Sequence, residues 1–376
     1  MSDDIQDIDD AEEAQETGGE PQAVAPPREN PLLLGHEAAE EVLLQAYRSG
    51  RLPHAWLLSG PRGIGKATLA FRFARFLFAQ ATSATGLFAL TPAALAIEPG
   101  HPVFRRVASG GHADLLVVER GFDPKRKKLR SEIVVDDTRG IAGFLRLTPA
   151  EGGWRVVIVD GADMMNRNAA NALLKILEEP PQRALLLLVS DNPGRLLPTI
   201  RSRCRILALK PLAEAEVREA LARYRPDLSA GDRAALARLA EGSIGRALDL
   251  AAAGGLGLYR SLVRLLEGLP ALDGAALHAL ADRLARGDGE DAFRMTAELL
   301  PGWVARMVAL AAGEGEGAAL PGEAEIMRRL AGRRGLDQWV EVWEKITHLF
   351  ALADSVNLDR KQVVLNAYFA LAEAAR

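Results

Sequence analysis

Short apolar runs alternate with longer amphipathic stretches over the first two hundred residues of this chain. Four of the runs predict strands, at residues 55–59, 114–118, 155–160 and 185–190. Because almost every residue in these runs is apolar, each strand is expected to be buried on both faces, as in a parallel sheet. The helical stretches between the strands would then cover both sides of that sheet. The pattern therefore predicts an α/β domain over residues 31–210.

The pattern changes after Lys210, where the strand-like runs cease. Residues 211–255 predict a small helical lid, opened by a proline and closed by a pair of glycines, and residues 256–376 predict an all-helical domain with glycine-rich joints at residues 311–322. Apolar residues at helical spacing form one stripe in this last domain: Trp339, Val342, Trp343, Ile346 and Leu349. Such a stripe is typical of a bundle core, and part of it is a candidate for contact with another subunit.

A glycine-rich loop follows the first predicted strand and opens a helix predicted over residues 68–78. Its sequence, Gly60-Pro61-Arg62-Gly63-Ile64-Gly65-Lys66-Ala67, matches the GxxxxGK pattern of a phosphate-binding loop. The glycines permit a turn whose backbone N–H groups enclose phosphate oxygens, and Lys66 would neutralise the β and γ phosphates. The candidate residues for binding ATP or ADP are Gly60, Gly63, Gly65, Lys66, Ala67 and Thr68. A glycine-rich turn that holds no nucleotide is the alternative.

Two departures from the pattern argue against efficient hydrolysis. Ala67 replaces the Ser or Thr whose hydroxyl holds Mg²⁺, and Thr68, one helical residue later, points about 100° away from it. Asp160 ends a buried strand, as a Walker B aspartate does, but Gly161 follows it where an active ATPase usually has Glu. Asp163 lies too far along the chain to take that role without an unusual turn. The sequence predicts a nucleotide pocket that has lost efficient ATP hydrolysis.

Several ordered motifs carry a family resemblance. They are Gly35-His36-Glu37, Leu52-Pro53-His54-Ala55, the helix from Asn168 to Pro181, Thr199-Ile200-Arg201-Ser202-Arg203-Cys204, and Gly242-Ser243-Ile244-Gly245-Arg246-Ala247-Leu248. Together with the loop, they resemble the AAA+ clamp-loader subunits of bacterial DNA polymerase III over residues 31–250, and the delta-prime type most of all. The resemblance implies a P-loop AAA+ domain with a parallel sheet, a helical lid that carries sensor 2, and a C-terminal all-helical collar that holds subunits together.

The resemblance also assigns roles to three polar residues. Arg203 would be an arginine finger that reaches the γ-phosphate held by a neighbouring subunit, a contact worth about 10³ to 10⁵ in rate. Arg246 would be the sensor 2 arginine, which contacts nucleotide in its own subunit. For Arg203 the alternative is an ion pair within the domain or a solvated side chain, and for Arg246 it is a helix contact or a surface ion pair. Asn192 is either a phosphate sensor or a turn residue before Pro193.

The function implied is that of a delta-prime-like accessory subunit, not catalytic alone, in a complex that loads the sliding clamp onto primed DNA. Its partners would be gamma/tau-type ATPase and delta-type subunits, with the clamp and the DNA reached through the complex. An active gamma-like ATPase is the first alternative, and a P-loop kinase of small molecules is the weaker one. The kinase would need a lid with clustered arginines, and the Ser-Arg-Cys segment would serve no purpose in it.

Charge is distributed unevenly along the chain. Residues 1–30 contain ten acidic residues against Arg28 alone, which predicts a disordered acidic tail. The remaining chain is only mildly basic, which does not favour a free-standing DNA-binding protein. Its densest basic run, Lys125-Arg126-Lys127-Lys128 with Arg130, is interpreted as a hairpin or strand connection, with contact to DNA phosphates as the alternative.

Cys204 is the chain's one cysteine, which excludes an internal disulfide and favours a reducing cytoplasm. Delta-prime and gamma families usually carry four zinc-binding cysteines soon after the P-loop helix, but residues 79–112 contain none. His101 and His112 do not make a tetrahedral site without thiolates, so no zinc or other metal is expected and both histidines are interpreted as surface or turn residues. No apolar run reaches the length of about 20 residues that a membrane span requires.

Overall fold

The computed structural model describes residues 24–82, 92–123, 127–151, 153–286, 289–315, 317–356 and 358–376. Most of the predicted acidic tail, together with Lys125 and Arg126 of the basic run, lies outside the described residues. Most of the predicted α/β domain and of the helical remainder lies within them.

A five-stranded parallel sheet forms the centre of the first domain, with strand order β2-β5-β6-β1-β7. Its strands are β1 (Ala55–Ser59), β2 (Leu115–Val118), β5 (Arg155–Asp160), β6 (Ala184–Ser190) and β7 (Arg205–Ala208). The four predicted strands are confirmed to within one residue. The edge strand β7 was not predicted, although Ile206, Leu207 and Ala208 are apolar; three of its four residues are exposed at the edge of the sheet.

Helices cover both faces of the sheet. They are α1 (Glu37–Arg48), α2 (Lys66–Thr82), α3 (Pro102–Ala108), α4 (Val135–Arg146), α5 (Arg167–Glu178) and α6 (Pro198–Arg201). The first three pack on one face and the last three on the other, and each face has its own hydrophobic cluster. The prediction of a parallel sheet covered on both sides is therefore confirmed.

Lys128, in the described part of the basic run, belongs to a short antiparallel hairpin, which is one of the two interpretations that the sequence allowed. Its strands are β3 (Phe122–Asp123) and β4 (Lys128–Leu129), with Phe122 opposite Leu129. The hairpin projects from the sheet domain between β2 and α4, and both of these paired apolar side chains are exposed.

The chain is helical after β7. The helices are α7 (Glu214–Tyr224), α8 (Ala230–Leu239), α9 (Ile244–Ala252), α10 (Gly255–Glu267), α11 (Gly274–Ala285), α12 (Glu290–Ala311), α13 (Glu323–Ala331), α14 (Leu336–Val356) and α15 (Arg360–Ala374). One hydrophobic cluster runs from Leu212 to Ala375, so the predicted lid and the predicted C-terminal domain share a continuous core. An α/β P-loop domain followed by helical structure is the fold class that the sequence predicted.

The apolar stripe of α14 divides between core and surface. Trp339 and Ile346 are fully buried, and Val342 and Leu349 pack against the same core. Trp343 is exposed, as is Val340 one turn before it. The stripe is therefore mainly bundle core, with two apolar side chains directed outward.

Candidate functional site: the P-loop cavity and the Arg203 surface

The glycine-rich loop lies between β1 and α2, with the backbone conformation that its sequence predicted. Gly60 and Gly63 have positive φ angles of 149° and 76°. A Cβ atom on Gly60 would lie 2.5 Å from the Leu209 carbonyl oxygen, and one on Gly63 would lie 2.5 Å from Ser243 Oγ. Both glycines are therefore required by backbone conformation and by close neighbours. The loop is folded as a P-loop despite its altered last residue.

The carboxyl ends of three parallel strands meet beside this loop. β1 pairs with β6 with Ser59 opposite Ser190, and β6 pairs with β5 with Val189 opposite Asp160. Asp160 and Asp191 therefore come to the same edge of the sheet as the loop. Functional side chains of open α/β sheets collect at this edge, because the carboxyl ends of parallel strands all point there.

A cavity of about 630 Å³ opens at this edge. Its polar wall is formed by the loop from Gly63 through Thr68, with Glu119, Arg120, Asp160 and Asp191. Its apolar wall is formed by residues from the N-terminal segment and from the helical lid: Leu33, Leu34, Leu212, Tyr224, Ile244 and Leu248. A polar end for phosphates and an apolar end for a flat base are the two parts that a nucleotide pocket needs.

Lys66 is the most deeply buried charge of this cavity. Its ammonium lies 2.7 Å from Asp191 Oδ1 and donates a hydrogen bond of 2.5 Å to the carbonyl oxygen of Pro61. The lysine side chain is 3% exposed, whereas that of Asp191 is 36% exposed. The group that would neutralise a nucleotide phosphate therefore already has an anionic partner from its own chain.

Asp160 and Asp163 have different tasks at the end of β5. Burial, and then the negative charges of Glu119 and Asp191, raise the pKa of Asp160, while Lys66 partly opposes this rise. Asp163 accepts hydrogen bonds from the backbone N–H groups of Asp191 and Asn192, at 3.1 and 3.3 Å. Asp163 thus holds the end of β6 in place, and Gly161 supplies no catalytic carboxylate.

The predicted lid closes directly on the loop. Ser243, which caps the start of α9, donates a hydrogen bond to the carbonyl oxygen of Arg62 at 2.8 Å. The N–H group of Gly245 donates to the carbonyl oxygen of Gly63 at 2.9 Å. Loop and lid are therefore joined by two hydrogen bonds across the cavity rim.

Arg246 is oriented away from the cavity that its neighbours line. Its guanidinium lies 3.4 Å from Glu241 Oε2 and 4.0 Å from Glu298 Oε2, the latter on α12. Ile244, Gly245 and Leu248 line the cavity and Arg246 does not. Arg246 therefore contacts the helical domain and not the cavity. The structure brings the other candidate residues together at the cavity wall: Gly63, Gly65, Lys66, Ala67, Thr68 and Asp160. Gly60 lies at the start of the same loop.

Arg203 lies outside the cavity, in the turn between α6 and β7. It donates a hydrogen bond of 3.0 Å to the carbonyl oxygen of Thr199, and its guanidinium lies 2.9 Å from Glu178 Oε1 at the end of α5. The side chain is 36% exposed and that of Glu178 is 51% exposed. Arg203 therefore makes an ion pair within the domain, at a position where the guanidinium remains accessible from outside.

Comparison with known proteins finds sequence relatives of this chain among subunits of DNA polymerase III. Residues 35–213 match the family model described as DNA polymerase III, delta subunit. The DNA polymerase III subunit delta' of Pseudomonas aeruginosa is 38% identical over 219 residues, which are 58% of this chain and 61% of that protein. Subunit tau of Escherichia coli is 33% identical over 222 residues, which are 58% of this chain and 32% of tau.

The matched part of the chain is similar in sequence to subunits of DNA polymerase III. It spans less than two thirds of the Pseudomonas delta' protein and about a third of tau, so the activity and partners of those complete proteins are matters of proposal for this chain. Among solved structures, a gamma subunit-related protein of Thermotoga maritima matches with a TM-score of 0.35 at 19% identity, covering 89% of this chain and all of that one. The RuvB branch migration motor of Thermotoga maritima matches with a TM-score of 0.37 at 17% identity, covering 82% and 92%. TM-scores this low support no functional conclusion.

The remaining candidate residues, Asn192, His101 and His112, each make a defined contact within the chain. The side chain of Asn192 accepts a hydrogen bond from the N–H of Gly194, as the interpretation as a turn residue predicts. His101 caps α3 by accepting from the N–H of Val103, which agrees with a turn position. His112 was interpreted as a surface or turn residue, and it does begin a turn, because its carbonyl oxygen accepts a hydrogen bond from the N–H of Leu115 at 3.1 Å. Its ring, however, is buried and stacks on Phe78 with centroids 3.9 Å apart. Burial lowers the pKa of His112.

The positions of the His, Cys, Asp and Glu side chains, and the polarity of the helices, bear on metal binding and on membrane insertion. Within the described ranges, no three His, Cys, Asp or Glu side chains come together in a way that could hold a metal ion. Burial raises the pKa of Cys204 to about 12, so its thiol is protonated at neutral pH. In the same part of the chain, every helix is too short or too polar to cross a bilayer.

Sequence reasoning missed two of the acidic residues that matter here. Neither Asp191, which follows a predicted strand, nor Glu178, which lies in the predicted helix from Asn168 to Pro181, was among the candidate residues. The position of Asp191 directly after a buried strand was the available signal, because parallel strands end at the same sheet edge as the loop. No comparable signal existed for Glu178, whose contact with Arg203 depends on how α5 and α6 pack.

Proposed function

We propose that this chain is a delta-prime-like clamp-loader subunit that supplies Arg203 to the ATP site of a neighbouring subunit. In this role it turns over little or no ATP itself, and any ATP or ADP in its own cavity is held passively. Through the assembled complex, with gamma/tau-type and delta-type subunits, it helps to place the sliding clamp on primed DNA in the cytoplasm.

The position of Arg203 is the observation that carries this proposal. The guanidinium stands at the domain surface, outside the chain's own cavity, and is held by one exposed carboxylate. An exposed ion pair contributes only about 0–1 kcal/mol, so a neighbour's triphosphate, which offers more negative charge, can replace Glu178 at small cost. The chain's own cavity meanwhile lacks the Mg²⁺ hydroxyl at Ala67 and the catalytic carboxylate at Gly161.

The outer surface of the helical domain supports the assembly part of the proposal. Val340 and Trp343 on α14, and Phe369 on α15, are large apolar side chains that remain exposed. Apolar side chains at these positions are suited to packing against helices of other subunits. We assign residues 256–376 to oligomerisation on this basis.

ATP turnover tests the proposal most directly. The isolated chain is expected to show no turnover above background. Mixed with a gamma-type ATPase partner, it is expected to support turnover that falls by about 10³-fold or more, at the site it completes, when Arg203 is changed to Ala. Arg195→Ala, which removes an exposed arginine on the preceding turn, is the matched control and is expected to leave turnover unchanged.

Two outcomes would contradict the proposal. Strong turnover by the isolated chain would favour the alternative, an active gamma-like ATPase. Normal turnover in a mixture that contains Arg203→Ala would exclude the finger, provided that native mass spectrometry shows the altered subunit in the complex.

A further inference from the structure

The ion pair between Lys66 and Asp191 places a carboxylate where a P-loop lysine would meet a phosphate. Lys66 Nζ and Asp191 Oδ1 are 2.7 Å apart, and the carbonyl oxygen of Pro61 accepts a second hydrogen bond from the same ammonium. Because the lysine is almost completely buried, its ammonium has little contact with water and interacts mainly with these two acceptors from its own chain. A phosphate at this position would have to displace Asp191 or lie beside it.

Asp191 is held in this position by the sheet and by a second acidic residue. It follows directly on β6, whose register with β1 brings Ser190 opposite Ser59 at the start of the loop. Asp163 accepts hydrogen bonds from the backbone N–H groups of both Asp191 and Asn192. The backbone that carries the carboxylate is therefore anchored independently of Lys66.

The charges around the cavity disfavour a polyphosphate further. Asp160 and Glu119 line the same wall as Asp191, and both Glu119 and Asp191 act on Asp160 as negative charges. The cations of this wall are Lys66, Arg62 and Arg120. The buried cation Lys66 is already paired with Asp191. A nucleotide phosphate would therefore enter next to carboxylates without a free buried cation to neutralise it.

The lid takes up loop groups that surround the same position. Ser243 and the N–H of Gly245 donate to the carbonyl oxygens of Arg62 and Gly63. The start of α9 is thus hydrogen bonded to the loop, although the N-terminus of a helix is otherwise suited to an anion. Two donors at the start of α9 are therefore committed to the loop and not to an anion.

We propose that Asp191 is an internal substitute for a nucleotide phosphate at Lys66 and that it determines the ligand class of this cavity. With Asp191 in place, the polar end rejects polyphosphates, while the apolar wall of Leu212, Tyr224 and Leu248 remains open to an uncharged nucleoside. This role of Asp191 rests on the proposed function, in which the chain's own nucleotide pocket is passive. It adds that the pocket has lost phosphate binding as well as ATP hydrolysis.

Calorimetric titration of the full chain with ADP, inorganic tripolyphosphate and adenosine tests this directly. Asp191→Asn is expected to bind ADP and tripolyphosphate about tenfold to hundredfold more tightly than the unaltered chain, because a negative charge beside the phosphate has been removed from a partly buried site. Adenosine, which carries no phosphate, is expected to change by less than about twofold. In the combined variant Lys66→Met with Asp191→Asn, the gain is expected to be lost.

Asp136→Asn is the matched control. It makes the same change of charge at a side chain on α4 that is 71% exposed and lies outside the cavity wall, and it is expected to leave all three affinities unchanged. Asp191→Ser, which removes the charge with a smaller side chain, repeats the test in case Asp191→Asn disturbs folding, and circular dichroism monitors both variants.

The proposal is overturned if both Asp191 variants bind ADP and tripolyphosphate no more tightly than the unaltered chain. It is equally overturned if adenosine gains as much as ADP, since the effect would then not depend on phosphate. These measurements need no partner subunit and leave Arg203 intact, so a negative result here is distinguishable from failure of the finger, which the turnover assay reports.

Discussion

Two ion pairs of similar length lie in contrasting surroundings in this molecule. The Lys66–Asp191 pair spans 2.7 Å with 3% and 36% of the two side chains exposed, and the Arg203–Glu178 pair spans 2.9 Å with 36% and 51% exposed. A buried charge depends on its partner because water cannot replace it, whereas water readily replaces the partner of an exposed charge. Burial, and not distance, therefore separates a lysine committed to its own chain from an arginine available to another molecule.

A third set of charges extends the comparison to complete burial. Glu323 at the start of α13 has no exposed surface. It accepts hydrogen bonds from the Tyr259 hydroxyl and from the N–H groups of Ala319 and Leu320, the latter two at 2.7 Å. Arg306 donates to the same tyrosine at 2.7 Å and lies 3.7 Å from Glu241, which also pairs with Arg246. Polar contacts thus run from the lid into the core of the helical domain.

The largest effect is expected for Glu323→Ala. The substitution leaves the Tyr259 hydroxyl and two backbone N–H groups without an acceptor in a site that water does not reach, and it creates a cavity. We expect the free energy of unfolding to fall by about 3–5 kcal/mol, measured by urea denaturation. Glu325→Ala, two residues along the same helix and exposed, is the control and is expected to stay within about 0.5 kcal/mol. A loss below about 1 kcal/mol for Glu323→Ala would show that this network does not stabilise the fold.

An intermediate effect is expected at the P-loop. A double-mutant cycle with Lys66→Met and Asp191→Asn is expected to give a coupling energy of about 1–2 kcal/mol in unfolding measurements. The value is smaller than for Glu323 because the exposed part of Asp191 can return to water. The coupling is expected to persist largely in 0.5 M NaCl, since salt screens buried pairs weakly. A coupling near zero would remove the distinction between the two ion pairs on which the comparison depends.

The part of this architecture that depends on local pattern was predictable from the sequence. Strands that are buried on both faces appear in the sequence as uninterrupted apolar runs, so the ends of β1, β5 and β6 were predicted to within one residue. The loop glycines were predictable for the same kind of reason, because the loop pattern itself specifies where a side chain cannot be accommodated. Strand β7 was missed although Ile206, Leu207 and Ala208 form an apolar run, and the structure leaves three of its four residues exposed at the sheet edge.

The part that depends on packing between distant segments was not predictable in this way. The pairing of Lys66 with Asp191 joins residues 125 positions apart, and only the order of the strands in the sheet brings them together. The orientation of Arg246 toward Glu298 follows from the way α9 packs beside α12, which no motif encodes. The turn at His112 was among the interpretations, but the burial of its ring was not, because that burial depends on Phe78 in another helix.

A small effect on stability is expected for the exposed pair. A double-mutant cycle with Arg203→Ala and Glu178→Gln is expected to give a coupling energy of about 0–0.5 kcal/mol that disappears in 0.5 M NaCl. The coupling energies of this pair and of the Lys66–Asp191 pair, measured under the same conditions, show directly how much burial changes the strength of an ion pair. Equal couplings for the two pairs would mean that burial does not decide which of them can exchange partners.

The smallest effect concerns the release of Arg203 in the assembled complex. If Glu178 only occupies the guanidinium until a neighbour's triphosphate is present, Glu178→Gln should change ATP turnover of the mixture with a gamma-type partner by less than about threefold, because the pair is worth so little. Glu179→Gln makes the same change of charge at the adjacent exposed residue and is expected to have no effect. A fall of tenfold or more for Glu178→Gln alone would instead make Glu178 a positioning residue for the finger, and a comparable rise would show that the ion pair restrains Arg203 far more strongly than its exposure predicts.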